Sequence, residues 1–369
     1  LRSVLTKLQP DVIHVTHLIN HTAVLLGLAH EMRIPTVATL TDFFGFCFTN
    51  KLEDARGLLC SGPSRDRSNC VACYLKVAGT AKTTHPLLAW LRRRLPLSLL
   101  SRLLVLAARF NILPAKELAH VVKDLQARPD LLREQYNFTY NAVIAPTTFL
   151  AKAYRANGLQ VPIRTHWFGV DIKRSTKPSR VSGAPLRFGY IGQLAEHKGV
   201  DLLLEAYQHL QPSTAEVMIY GPLDQDPAYA SRLQDMAGPH VQFCTTFPPE
   251  EMAAVMGALD VLVIPSRWYE NSPLVLLYAL ATHTPVIVAR VEGLTEFLEE
   301  GVNGFSFERG SCADLVRVLQ RFLSDPTLAA RLSGSTHYER TTAVMAAELE
   351  EVYQEASDGL MSRSTRRPG

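Results

Sequence analysis

No run of eighteen consecutive apolar residues occurs in the 369-residue chain, so no segment reads as a membrane-spanning helix. An excess of one charge is missing too. The 38 Lys and Arg stand against 35 Asp and Glu, and a net +3 is too small to imply nucleic-acid binding. The cysteines form no secreted disulfide framework: four of the six lie in one loop-like stretch, and Cys244 and Cys312 fall in expected core. That distribution favours the cytoplasm. A basic-then-apolar leader is also lacking. The chain opens on Leu1 and soon enters "PDVIHVTHL", which raises the expectation of a piece without its natural beginning. What is present is 47% hydrophobic and 20% charged, at a length that suits two domains.

Hydrophobic periodicity orders the chain. Residues 10–18 and 34–42 read as buried strands flanking the helical "NHTAVLLGLAHEMR", the strand–helix–strand order of a parallel sheet. Residues 43–84 break the pattern with aromatics, Gly, Ser and cysteines, and 85–113 are leucine-rich and basic. "YNAVIAPTTFLAKAYRANG" returns to a strand and a helix closing on Gly158. A polar, Pro/Gly/Ser-punctuated segment marks a hinge. Beyond it, strands are expected at 186–191, 216–220, 240–243, 260–264 and 285–289. Helices are expected at 199–210, 226–237, 249–257, 273–282, 294–300 and 311–323. The organisation predicted is a domain over 1–165, a linker over 166–184, a doubly wound domain over 185–360 and a disordered tail over 361–369.

Three loops of the second domain carry chemistry. In "FGYIGQLAEHKGVDLLLEAY" a strand runs to Gly192 and Gln193, and a loop with Lys198 leads through Gly199 into an amphipathic helix. Close backbone approach, free helix N–H groups and a positive charge suit a phosphate, although an ordinary turn with a solvated lysine has the same pattern. In "PSRWYENSPLVLLYALATHTPVI" the loop holds one carboxylate, Glu270. Asn271 or Ser272 is placed to cap the helix, and Pro273 suits its first turn. Glu270 can accept hydrogen bonds from ligand hydroxyls; a glutamate favoured by the helix dipole alone is the plainer reading. "VARVEGLTEF" supplies Glu292 and Gly293, either a third wall or a simple turn. All three loops follow strands of one sheet, and their convergence favours a ligand site.

In order and spacing, residues 10–325 resemble the GT-B glycosyltransferases of glycosyltransferase family 4. "GQLAEHKG" resembles that family's "GRL…KG" diphosphate segment, and the "PSRWYENS" stretch resembles its donor-binding segment. "VIHVTHL", "TLTDFF" and "FGVD" resemble its first-domain strands and linker. The resemblance implies an α/β GT-B architecture, two Rossmann-like doubly wound domains facing a cleft, with the first incomplete. It implies a retaining, metal-independent transfer from a nucleotide-sugar donor to a glycan or lipid-linked acceptor. Lys198 would hold the diphosphate and Glu270 the sugar hydroxyls. The amides of Asn271, Ser272 and Leu274, around Pro273, would support sugar and phosphate, and Thr41 and Asp42 would form the opposite wall. Three positions depart from the family: Gln193 stands for an Arg, Thr41 for a His, and Tyr278 for the Glu that grips the ribose. A tyrosine hydroxyl does not bind two hydroxyls as a carboxylate does. These departures motivate a rival, a non-catalytic nucleotide-sugar-binding relative or scaffold. A nucleotide-sugar epimerase on the same fold has no acid/base pair in its favour.

Two features lie outside those loops. Cys47, Cys60, Cys70 and Cys73 end in a CxxC, which fits a structural zinc stapling the insertion; packed, free thiols are the other reading. "HPLLAWLRRRLPLSLLSRLLVLAARF" sets five arginines among leucines. The pattern suits peripheral contact at the inner face of a membrane, or equally a helix exposing its arginines to water. His14, His17 and His21 are read as scattered histidines rather than metal ligands.

Overall fold

The computed structural model describes residues 1–18, 23–78, 86–113, 116–172, 183–210, 215–325 and 327–365. The chain divides into two compact units. The first comprises Leu1–His166 with Glu348–Gly369, and the second Trp167–Ala347. Each is built on a parallel sheet.

In the first unit, β1 (Ile13–Val15), β2 (Thr36–Thr39), β3 (Ala142–Ala145) and β4 (Ile163–Thr165) lie in the order β1-β2-β3-β4. Successive side chains alternate between its two faces. Val15, Ala38, Val143 and Ala145 join one cluster with Phe43, Phe46, Leu150 and Tyr154, while Val37, Ala142 and Ile144 pack on Val352 and Ala356. The latter two residues belong to the final helix, Thr342–Thr365. The insertion folds as helices Ser68–Ala78, Pro86–Arg94 and Leu97–Arg109. The first and third bury Val71, Leu75, Leu100 and Leu104 together with Val122 and Leu125 of the helix Lys116–Thr139.

The second unit holds β5 (Leu186–Ile191), β6 (Ala215–Tyr220), β7 (Val241–Cys244), β8 (Val261–Ile264), β9 (Val286–Ala289) and β10 (Gly304–Phe307). Their order is β10-β9-β8-β5-β6-β7, all parallel. The sheet grows outward from β5 in one direction, returns to β8 beside it, and grows in the other. That reversal is the topological switch point of a doubly wound fold. β8 and β9 read "VLVI" and "VIVA" and are buried at every residue, because helices cover both faces of a parallel sheet.

Several expectations need correction. Residues 294–300 form turns instead of a helix: Leu294 and Phe297 are buried singly, and Asn303 bonds the Phe297 carbonyl and the Glu299 amide. β10 and the helices Arg2–Leu8, Leu328–Ser335 and Thr342–Thr365 were not foreseen. The second domain was drawn to residue 360, yet the chain from Glu348 packs on the first sheet, which provides an apolar face for Leu349, Val352 and Ala356. The expected disordered tail is helical through Thr365, and residues 366–369 lie outside the described residues. Of the expected linker, Trp167–Ile172 pack as part of the second unit, with Val170 in its core. Residues 173–182 lie outside the described residues.

Candidate functional site

β5 and β8 are neighbours at the switch point, and the loops that leave their carboxyl ends meet. Gly199 has φ 73°, and a β-carbon there would stand 2.1 Å from the Pro265 carbonyl oxygen. Only glycine lets the two loops touch so closely. The Arg267 amide donates to the His197 carbonyl at 2.8 Å, and the His197 and Trp268 rings lie 4.1 Å apart. A charged fork reinforces this seam. Arg267 donates two hydrogen bonds to Asp201, at 2.8 and 3.0 Å, and the Tyr229 hydroxyl donates a third at 2.8 Å. Burial raises the Asp201 carboxyl, but these bonds outweigh it and hold the group below the usual carboxylate range.

The fixed loops bring Lys198 and Glu270 together. Lys198 Nζ lies 2.7 Å from Glu270 Oε1 and 5.0 Å from the centroid of the Trp268 ring. The same oxygen accepts from Ser266 Oγ at 2.7 Å and Trp268 Nε1 at 3.1 Å. Glu270 is only 7% exposed, and its other carboxylate oxygen takes no hydrogen bond among the described residues. Tyr190 beneath is pushed above the usual phenol range by burial and then by the Glu270 charge. Together these make a carboxylate locked in orientation beside one cation, at the edge of the sheet where ligands of such folds bind.

The third loop closes on the same residue. The Glu270 amide donates to the Glu292 carbonyl at 3.1 Å. Gly293 has φ 85°, and a β-carbon there would stand 1.7 Å from the Glu270 carbonyl oxygen. Glu292 and Asn271 are half-buried. Ser272 takes a left-handed φ of 54°, and its hydroxyl is buried without a hydrogen-bond partner. The expected capping therefore fails. Pro273 is the N-cap of the helix Leu274–Ala281, no side chain caps it, and the turned backbone sends the Ser272 hydroxyl elsewhere. An orphaned buried hydroxyl and uncapped amides directly after Glu270 are what an anionic, hydroxyl-bearing ligand satisfies.

The remaining expected residues are placed as follows. Gly192 and Gln193 follow β5; the Gln193 side chain is exposed and its carbonyl accepts from the Tyr190 hydroxyl at 2.6 Å. Leu274 is exposed, and Tyr278, one turn on, is half-buried against the core. In the first unit, Thr41 and Asp42 follow β2. Thr41 donates to the Thr16 carbonyl at 3.1 Å, and Asp42 pairs with His17 at 2.8 Å while accepting the Phe44 amide. His14 is a half-buried, satisfied histidine between Thr39 and Tyr353, its pKa lowered by burial. His21 lies outside the described residues. Sequence reasoning assigned no role to Ser266, Trp268 or His17. Ser266 and Trp268 stand four and two residues before Glu270, and this closeness was the available signal.

Cys47, Cys60, Cys70 and Cys73 are free thiols within electrostatic reach of one another. Burial, then the neighbouring thiols, push Cys70 and Cys73 up to about 12. Among the described residues no group of three or more His, Cys, Asp or Glu side chains is arranged to hold a metal ion. Among the described residues, too, no helix is long and apolar enough to cross a membrane.

Residues 171–336 match the family model described as "Glycosyl transferases group 1". A D-inositol 3-phosphate glycosyltransferase of Corynebacterium kroppenstedtii is 30% identical over 206 residues, covering 51% of this chain and 46% of that one. The chain thus spans about half the length of the curated relatives it matches. Among solved structures, sucrose-phosphate synthase from Thermosynechococcus elongatus superposes with a TM-score of 0.61 at 17% identity, covering 96% of this chain and 75% of that one. Anabaena HepE in complex with UDP and glucose gives 0.53 at 16% identity, covering 95% and 99%. These likenesses show the fold, a GT-B fold with two parallel-sheet units.

Proposed function

We propose that this chain, whose residues 171–336 match the model of the glycosyl transferases group 1, transfers a sugar from a nucleotide-sugar donor to a glycan or lipid-linked acceptor. The observation that carries the reading is the 2.7 Å contact of Lys198 with a buried, triply bonded Glu270 at the switch point. Lys198 turns from Glu270 to the donor diphosphate and stabilises the charge that develops as it departs. Glu270, held by Ser266 and Trp268, keeps an oxygen for sugar hydroxyls, and the Ser272 hydroxyl and neighbouring amides take the remaining polar atoms. Catalysis in this reading is positioning and charge stabilisation, with retention at the transferred carbon and no metal in any step. The similarity to a protein solved with UDP and glucose supports a nucleotide-sugar donor. The free cysteines support a cytoplasmic setting, and a lipid-linked acceptor places the enzyme at the inner face of a membrane.

Calorimetry with nucleoside diphosphates, followed by labelled nucleotide sugars with glycan and lipid acceptors, tests the proposal. Binding of a diphosphate that Lys198→Ala abolishes, with transfer to an acceptor, supports it; no donor binding at about millimolar level ends it. Gln193 and Tyr278 favour a second reading, binding without transfer, in which donor binds and no acceptor is ever labelled. The four cysteines take no part in the reaction, and the zinc content of the purified protein decides whether they hold a structural ion.

A further inference from the structure

Between Asp66 and Glu117 the chain has nine Lys and Arg and not one carboxylate, while the whole chain is only +3. The structure turns part of this stretch outward. In the helix Leu97–Arg109, Leu100, Leu104, Val105 and Ala108 are buried against the first unit. At 3.6 residues per turn, Leu99, Leu103, Leu106 and Phe110 fall in one arc of about 60° on the opposite side. All four are exposed, Phe110 by 64%, and Ile112 just beyond is 70% exposed. Arg102 and Arg109 run along one border of that arc, and neither has an acidic partner among the described residues. In the preceding helix, Trp90 is 54% exposed with Arg94 stacked 5.5 Å from its ring. Beside the arc opens a hollow of about 460 Å³ lined by Asp66, Arg102, Leu106, Arg109, Asn111 and Lys123, three cations against one carboxylate.

A helix pinned by one apolar face does not need a second. Four exposed apolar residues bordered by unpaired arginines, with a tryptophan nearby, have the composition of a segment lying in a bilayer interface. The charge selects the lipid: cationic side chains at the surface favour anionic headgroups. We propose that the outer face of Leu97–Arg109 docks on an anionic phospholipid bilayer, Leu103, Leu106 and Phe110 entering the acyl boundary and the hollow of Arg102, Arg109 and Lys123 receiving a headgroup phosphate. The surface deepens the membrane placement of the proposed function but does not depend on sugar transfer.

The full chain is sedimented with phosphatidylcholine vesicles carrying about a third phosphatidylglycerol, and with phosphatidylcholine alone. The expected result is binding to the anionic vesicles, weaker by at least about tenfold on neutral ones and reduced by high salt. Arg102→Ala with Arg109→Ala lowers the partition about thirtyfold, roughly fivefold per charge. Leu103→Glu with Leu106→Glu abolishes it. Circular dichroism and nucleoside diphosphate calorimetry on each variant confirm that the fold and the second unit are intact. No binding to anionic vesicles, equal binding to both compositions, or unchanged binding of either variant overturns the proposal. So does wild-type self-association without lipid that Leu103→Glu with Leu106→Glu removes, because a second copy would then be the occupant. Vesicle binding without nucleotide binding leaves the docking surface and sinks the transferase; nucleotide binding without vesicle binding does the reverse.

Discussion

Gly293 tolerates no side chain, since a β-carbon would press into the Glu270 carbonyl and the backbone sits at φ 85°. Gly293→Ala should cost about 1–3 kcal/mol in denaturant unfolding for the backbone strain alone, more with the clash, and should displace Glu270 and lose donor binding. Lys198 behaves differently, because Glu270 keeps the Ser266 and Trp268 donors when the cation is removed. Lys198→Ala should therefore leave the unfolding midpoint nearly unchanged while weakening nucleoside diphosphate binding by about 1.5–3 kcal/mol, the range of a charge-assisted hydrogen bond. Tyr278→Glu should tighten that binding; if calorimetry shows binding abolished, the half-buried ring packs on the ligand and the tyrosine is adapted to it.

The loop seam at the switch point depends on Asp201, which ties the first turn of the helix Val200–Gln208 to Arg267 in the loop after β8. Its folded pKa lies below the unfolded one, so its contribution is full above the usual carboxylate range and is lost as pH falls through the folded value. Asp201→Asn should therefore be clearly less stable than wild type near neutrality, with the gap closing in acid; urea melts across pH measure this. That fork joins residues 66 apart, and no local pattern announced it. Legible in the sequence were the elements whose residues repeat their environment: β8 and β9 as buried β-branched runs, and the Gly-loop-helix after β5. Glu270 and Lys198 were legible because strand order places their loops at one sheet edge. The segment 294–300 misled because buried residues at helical spacing also arise in a chain of turns. Ser272 misled because a capping residue type says nothing of the φ it will adopt.

Across the whole molecule, the second unit is contained within the chain of the first, which begins before it and resumes at Glu348. Ending the chain at Ala347 should uncover Val37, Ala142 and Ile144 and destabilise the first unit, while nucleoside diphosphate binding by the second survives. Proteolysis followed by calorimetry on the truncated protein would show both; loss of binding would mean that the second unit needs the final helix too. A ribosome makes the strands of the first sheet well before the helix that covers them. At about 5–20 residues per second, translating Trp167–Ala347 takes roughly 10–40 s, and for that interval one face of the nascent sheet has no partner. The face awaiting Val352 and Ala356 is then where a chaperone would bind and where a stalled chain would aggregate.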